Sequence, residues 1–526
     1  MADIVKYPVD IQSFSVIRED GYLYIDKTEL IYHLANNHYY VFLSRPRRFG
    51  KTLLMSTLEA YFKGEKELFK GLAIEHLEKK WDSFPVLRFD LSGENFRDLS
   101  RVIAHIEWII TRMERKQGYE GKGTISQRLS DLIENIHEAT GKKVVVLVDE
   151  YDKPMLDTLH NSAAQEEIKD ELRAFYSVLK SSYEHVRFVM LTGVTKFGKV
   201  SIFSGLNNLT DISMVSEYDS ICGITQKEFE SYFKDSIKDF AIKNGQSEEE
   251  VRDRFKEYYD GYHFSIPGAE IYNPFSVLYA FRFYCLDQYW YASGSSSFLV
   301  KLLMSNSYRL TDLEGARRTR AELSDITDMS QDIVPLLYQS GYLTLKDYDK
   351  ETEEYILGFP NQEVNKAFWS SLSKHIFSAS ENQNGYGIKD LTEDLMKGDL
   401  NDFLLKVKSL FGSVGSENEP VKEIHFQNMM AIIARMLGFS VMTEVHSSAG
   451  RCDMTIKTPS YIYIFEFKVD KSPEEAMSQI YQKKYYLPYL SSKRKIYLIG
   501  VDFSTKTRTI ESWKIEEFVS SFDSAI

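Results

Sequence analysis

Residues 38–62 read HYYVFLSRPRRFGKTLLMSTLEAYF, and the fold of the first half of the chain turns on them. Tyr39–Leu43 is a short apolar run, the pattern of a buried strand. From Lys51 onward Leu53, Leu54, Thr57, Leu58 and Tyr61 fall at helical spacing. The eight residues Arg45-Pro46-Arg47-Arg48-Phe49-Gly50-Lys51-Thr52 lie across the junction. They keep the second half of the phosphate-loop pattern G-x-x-x-x-G-K-[ST], with Arg45 in place of the first Gly. Gly50 lets the backbone approach an anion, and the helix that follows presents free N–H groups to it. Lys51 would reach the β- and γ-phosphates of a nucleotide and Thr52 would hold Mg²⁺. The missing first Gly removes one site of positive φ, so the loop is expected to depart from the usual geometry. A chance Gly-Lys-Thr on a basic turn is the rival reading; the strand-loop-helix order argues against it.

Further strands are expected at Phe84–Leu91, Lys143–Asp149 and Arg187–Thr192, alternating with helices, which is the pattern of a parallel α/β sheet. The run Val144–Val148 ends in Asp149-Glu150, the Walker B arrangement. Asp149 would support the Mg²⁺ and Glu150 would polarise the attacking water. Thr192 and Thr195, just past the fourth strand, are candidates to sense the γ-phosphate. From Thr225 the sequence turns helical and aromatic, and residues 332–365 suggest a helix and hairpin like a winged helix. The stretch 381–419, bounded by polar turns, reads as a linker.

RPRRFGKT, VLVDEYDKP, LTGVTKFGKVSIFSGLNNLTDIS, DGYHF and the entry segment DGYLYIDKT occur in this order. Together they resemble the AAA-ATPase-like family over roughly residues 8–290. The resemblance implies a P-loop NTPase sheet with a helical lid and ATP as ligand. It places Arg45, Pro46, Arg47, Arg48, Phe49, Gly50, Lys51, Thr52, Asp149 and Thr195 at the nucleotide, Thr52 and Asp149 on its Mg²⁺, and Glu150 as a catalytic residue. The basic form of the loop is usual in that family, so Arg45 is no isolated defect. Arg47, Arg48 and Arg173 are candidates for an arginine finger.

Near the C-terminus the order is helix (Glu423–Leu437), strands at Ser440–His446, Cys452–Lys457 and Tyr461–Val469, a helix opened by Ser472-Pro473-Glu474-Glu475, and a last strand Lys495–Val501. In Phe465-Glu466-Phe467-Lys468 side chains alternate, so Glu466 and Lys468 share one face. Asp453 lies one hairpin away. Carboxylates from adjoining strands can hold a divalent cation through oxygen, and a lysine beside them can orient water or stabilise phosphate charge. A plain surface ion pair is the rival reading for E-x-K alone; the Gly450-Arg451-Cys452-Asp453 turn and the element order weigh against it. This stretch is similar to the PD-(D/E)XK nuclease superfamily over about residues 420–515. The resemblance assigns Glu423, Asp453 and Glu466 as metal ligands, Lys468 as catalytic, and Gln479 as the auxiliary catalytic position. It implies Mg²⁺, with Mn²⁺ as a substitute, and a nucleic-acid partner; nothing in the motif tells DNA from RNA, and DNA is the expected partner ahead of RNA.

The net charge of −13 excludes a general basic coat, and Cys222, Cys285 and Cys452 carry no metal or disulfide spacing. No signal peptide or membrane span is read, so a cytoplasmic chain without a membrane partner is expected. The expected architecture is an α/β P-loop domain (1–224), a helical lid with a winged-helix-like region (225–380), a linker (381–419) and an α/β restriction-endonuclease-like domain (420–526). The expected function is an ATP-binding, ATP-hydrolysing protein with a metal-dependent nuclease domain, with homo-oligomers as one way for nucleotide to act. The alternative is an ATP-switched nucleic-acid-binding or signalling module whose nuclease fold is silent.

Overall fold

The computed structural model describes residues 5–159, 161–197, 206, 208–292, 303, 308–324, 326, 332–377, 388–413, 423–437, 440–447 and 450–519. For 374–377, 388, 412–413, 423, 440–447 and 450–451 it describes the backbone alone. It divides into two compact units, Met1–Gly294 with Gly315–Asn365, and Ser295–Glu314 with Lys366–Ile526.

In the first unit, α1 (Phe14–Glu19) and α2 (Thr28–Asn37) precede β1 (Tyr40–Ser44) and α3 (Lys51–Phe62). Then come β2 (Val86–Asp90), α4 (Leu99–Lys116), α5 (Ile125–Thr140), β3 (Val144–Asp149), α6 (Ser162–Ser181), β4 (Val186–Gly193) and β5 (Thr210–Asp211). The five strands form a sheet in the order β2-β3-β4-β1-β5, parallel throughout. β3 is buried along its whole length, which suits its unbroken Val-Val-Val-Leu-Val run. α5 is delimited as its sequence dictates: Thr124 and Gln127 form a capping box, and Gly141 ends it in the left-handed conformation. Because β4 is inserted between β1 and β3, the ends of the strands carrying the phosphate loop and Asp149 flank a crevice, where α/β sheets bind ligands.

The lid includes β6 (Ile224–Thr225), α7 (Glu248–Tyr259), β7 (Ile271–Tyr272) and α8 (Pro274–Phe283). Its core is aromatic: Phe229 stacks on Tyr272 at 4.8 Å and Phe255 on Phe281 at 4.4 Å. The expected helix and hairpin are α9 (Val334–Gln339), β9 (Thr344–Asp349) and β10 (Glu354–Gly358). A third strand, β8 (Arg317–Thr319), completes an antiparallel sheet in the order β8-β10-β9.

The second unit contains α10 (Ile388–Lys397), α11 (Leu400–Ser413), α12 (Glu423–Met436), β11 (Ser440–Ser447), β12 (Gly450–Lys457), β13 (Tyr461–Val469), α13 (Pro473–Lys483), β14 (Lys495–Ser504) and β15 (Thr509–Phe518). The sheet runs β11-β12-β13-β14-β15, with only β13 and β14 parallel. α13 makes the crossover that parallel pairing requires. Two features differ from the sequence expectation. Residues 388–413, assigned to a linker, are two helices whose buried Leu391, Leu395, Phe403, Leu404 and Val407 pack at helical spacing. They belong to this domain: the Tyr463 hydroxyl donates to the Leu395 carbonyl at 2.6 Å, and Trp513 Nε1 donates to Asn401 Oδ1 at 3.0 Å. β15 also extends the sheet beyond the strand expected to be last. Among the described residues no helix is long and apolar enough to cross a membrane.

Candidate functional site

The loop after β1 takes its left-handed backbone at Arg48 (φ 66°) and Gly50 (φ 96°), and Arg45 does not adopt it. Arg45 is instead a buried clamp. Its guanidinium donates to the carbonyls of Ser44 (2.9 Å), Ser213 (2.7 Å) and Tyr218 (3.2 Å) and lies 3.8 Å over the Phe264 ring. Phe49 is buried against Tyr262 and Phe264. Arg48 is 3.3 Å from Asp10 and stacks on Phe275, while the Arg47 carbonyl accepts from Trp290 Nε1 at 2.9 Å. Pro46 abuts Gly341, where a Cβ would come within 2.6 Å of the proline ring. Lid and hairpin together therefore strap the loop in place.

Lys51 is buried and donates to the carbonyls of Arg45 (2.9 Å) and Pro46 (3.0 Å). Burial pulls its ammonium below the ordinary lysine range, against the opposing charges of Glu150 and Asp149. Asp149 accepts from the Thr192 hydroxyl at 2.7 Å, and Arg88 reaches within 3.7 Å of it from β2. Burial pushes the Glu150 carboxyl up, opposed by Lys51. Thr195 is turned elsewhere: its N–H and hydroxyl both donate to Asp152 Oδ2 at 2.6 Å. Thr52 borders an open polar cleft with Ser56, Glu59 and Arg88. Beside Gly50 an apolar cavity of about 100 Å³ is lined by Leu23, Tyr24, Leu53, Leu54, Ile221 and Leu278, among others. Of the candidate arginine fingers, Arg47 contributes to the field at Glu150, Arg48 is tied to Asp10, and Arg173 pairs with Asp170 at 3.0 Å.

In the second unit, Met454 pairs with Phe465 across β12 and β13, so one step along the ladder sets Asp453 beside Glu466 on a common face. The Phe467 N–H donates to Asp453 Oδ2 at 2.8 Å. Glu466 is buried, and its Oε2 has no hydrogen-bond partner. Burial, and then the Asp453 charge, raise its carboxyl to about 7, with Lys468 opposing. Lys468 Nζ donates to Glu466 Oε1 at 3.0 Å and to Gln479 Oε1 at 2.8 Å. Gln479 in turn donates to the Tyr485 hydroxyl at 3.3 Å. Asp453, Glu466, Lys468 and Gln479 thus stand together. Glu423 opens α12, and its side chain lies outside the described residues. Among the described residues no group of three His, Cys, Asp or Glu side chains is placed to hold a metal ion.

Residues 8–203 match the family described as Predicted AAA-ATPase, and residues 421–513 match the PD-(D/E)XK nuclease superfamily. A protein of Azotobacter chroococcum mcd 1, "Uncharacterized protein in vnfD 5'region", is 36% identical over 529 residues, covering 97% of this chain and 99% of that one. The chain belongs to the AAA-ATPase-like family and carries a PD-(D/E)XK nuclease superfamily domain toward its C-terminal end. Among solved structures, the ORC1 protein of Aeropyrum pernix in complex with DNA covers 65% of this chain and 90% of its own, at 9% identity and a TM-score of 0.23, too slight a likeness to carry an argument.

An AAA-ATPase-like domain has an ATP-binding fold, and this one assembles Lys51, Asp149, Glu150 and Thr192 around the crevice. The sequence reading passed over Asp152, which is 1% exposed and anchors residues 194–195, and Arg88 on β2. The repeat of acids in VDEYDKP was the available signal for Asp152. Arg88 had none, because its contact to Asp149 depends on strand order. In the nuclease-fold domain, Tyr485 was missed because the sequence suggests a helix running to about Tyr486, whereas α13 ends at Lys483 and Lys484 turns the chain in the left-handed conformation. The orphaned Oε2 of Glu466 is the kind of donor a divalent cation takes, and Asp453 supplies a second oxygen set beside it.

Proposed function

We propose that the chain is an ATP-hydrolysing protein whose C-terminal domain cleaves nucleic-acid phosphodiesters with Mg²⁺ or Mn²⁺, DNA being the expected substrate ahead of RNA. The observation that carries the nuclease half is Glu466 Oε2: a buried carboxylate oxygen with no partner, beside a second carboxylate. Leaving such a group unpaired costs about 1–3 kcal/mol or more, so its retention argues for a ligand. Asp453 and Glu466, with Glu423 from α12, would hold the cation. When bound, it supplies Lewis acidity and a lowered pKa for a coordinated water. Lys468, held between Glu466 and Gln479, keeps its ammonium at the rim of the carboxylates, where phosphate charge develops.

At the other site, Lys51 would exchange the carbonyls of Arg45 and Pro46 for β- and γ-phosphate oxygens, and Thr52 and Asp149 would hold Mg²⁺. Glu150 would orient the attacking water. The apolar cavity beside Gly50 would take the nucleotide base. Purified protein with Mg²⁺ or Mn²⁺ is expected to nick supercoiled DNA; Asp453→Ala and Lys468→Ala are expected to stop it. Equal nicking by these variants identifies a contaminant. Calorimetric titration with Mn²⁺ that detects no site sensitive to Glu466→Gln would leave a silent nuclease fold as the better reading.

A further inference from the structure

α4 buries Val102, Ile106, Ile109 and Ile110 against the sheet; its opposite stripe, spaced by three or four residues, is exposed Arg101, Trp108, Arg112 and Arg115 with half-buried His105 among them. Trp108 is 55% exposed. Its indole does not stand alone. His105 lies nearly parallel to it, ring centroids 6.0 Å apart at 24°, and the Arg112 guanidinium sits 4.7 Å over the indole on the helix. The row is fixed at its inner end: His105 Nε2 donates to the Asp90 carbonyl at 3.0 Å, and its ring packs edge-on against buried Phe96. Arg115 and Lys116 continue the face at the helix end, exposed. Arg101 is paired with Glu94 at 2.9 Å. In a chain of net charge −13 this is a local basic face with a pre-set planar surface in its middle.

We infer that this face of α4 binds single-stranded nucleic acid, with unpaired bases stacking in the row of His105, Trp108 and Arg112 and neighbouring phosphates held by Arg115 and Lys116. The chemistry selects the partner. Flat groups side by side offer π-faces to any base, and two successive exposed cations, Arg115 and Lys116, can meet neighbouring phosphates of one strand. An acidic protein would use the cations and leave the indole plane idle. Duplex bases are stacked on each other and cannot enter the row. The proposal rests on the nucleic-acid reading above for the class of polymer, but not on cleavage.

Binding of a fluorescein-labelled oligodeoxythymidine is measured in EDTA with the full chain carrying Asp453→Ala, so that cutting plays no part. Trp108→Ala is expected to weaken binding roughly tenfold, and Trp108→Tyr to restore most of it. Arg115→Ala with Lys116→Ala is expected to lower the slope of log affinity against log salt by about 1.4, at about 0.7 per charge. Unchanged affinity in Trp108→Ala overturns the proposal. So does a Trp108→Ala variant that alters self-association and leaves oligonucleotide affinity intact, which would make the face a contact between copies. Loss of nicking in Asp453→Ala with binding retained bears on the nuclease reading alone.

Discussion

Arg45 offers a direct test of whether the phosphate loop is understood. The pattern G-x-x-x-x-G-K-[ST] suggests that Arg45→Gly repairs the loop. The structure reverses that expectation. The loop already takes its positive φ at Arg48 and Gly50, so a glycine at 45 relieves nothing. What it removes is the guanidinium bonded to Ser213 and Tyr218 and stacked on Phe264. Charge-assisted hydrogen bonds contribute about 1.5–3 kcal/mol each and the desolvated ring contact about 1–2 kcal/mol. Set against these are the cost of burying the charge and the water that can enter: a cavity of about 30 Å³ already lies behind Arg45, room for one molecule. The net loss is then on the order of 2–4 kcal/mol, with about 0.5–1 kcal/mol more from the flexibility of glycine. The assay is thermal unfolding with and without ATP, where the midpoint is expected to fall by roughly 5 °C or more. Arg45→Lys, which keeps the charge but not the fork, should fall between. An Arg45→Gly protein that melts with the wild type and binds ATP more tightly would refute the clamp.

Other outcomes follow from single contacts. Lys51→Ala should weaken ATP binding at least about tenfold by calorimetry, since the phosphates lose their buried cation. Gly341→Ala places a Cβ 2.6 Å from the Pro46 ring at φ 90°; it should cost about 1–3 kcal/mol in a urea titration and weaken ATP binding through the displaced loop. Glu363 is buried and accepts from the Ser276 hydroxyl and the Trp290 N–H, and burial raises its carboxyl from 4.5 to about 8. The folded chain thus keeps a proton that the unfolded chain releases, so this contribution to stability is complete below about pH 4.5 and is lost as pH rises through about 8. Glu363→Gln should flatten that fall, by a few kcal/mol at most, in urea midpoints compared across the range. Gln479→Ala should reduce nicking about tenfold and leave Mn²⁺ affinity unchanged, because it releases Lys468 and not the carboxylates.

How far the sequence could be read depended on the range of the interactions. β1, β3, β13 and the helix after Gly50 follow from local patterns, because an unbroken apolar run or a period of 3.6 is written within ten residues. The facing of Asp453 and Glu466 also follows, since alternation and a short hairpin fix it. β15 escaped because TIESWKIEEF is a charged edge strand whose pairing partner lies across a turn. The helices of 388–413 escaped because their polar faces and the SASENQNGYG run beside them read as a linker. Arg45 was legible as an exception and not as a clamp: its partners at 213, 218 and 264 are long-range. Thr195 was read by position at a strand end, whereas its hydroxyl is held by Asp152 from another loop.

The two sites share a physical device. In each, a lysine is held at the proposed site by other protein groups: carbonyls for Lys51, Glu466 and Gln479 for Lys468. In each, an acid beside that lysine is driven toward its neutral form by burial. In each, carboxylates outnumber the ammonium that opposes them: Asp149 and Glu150 face Lys51, and Asp453 and Glu466 face Lys468. A nucleotide with Mg²⁺ at one site, and a phosphodiester with a divalent cation at the other, bring a positive and a negative charge at once. Either charge alone improves the field for one partner and leaves the other uncompensated, so metal and phosphate should bind cooperatively at each site. Independent binding of Mn²⁺ and ATP to the first unit, measured by titrating each in the presence of the other, would show that the crevice does not work this way.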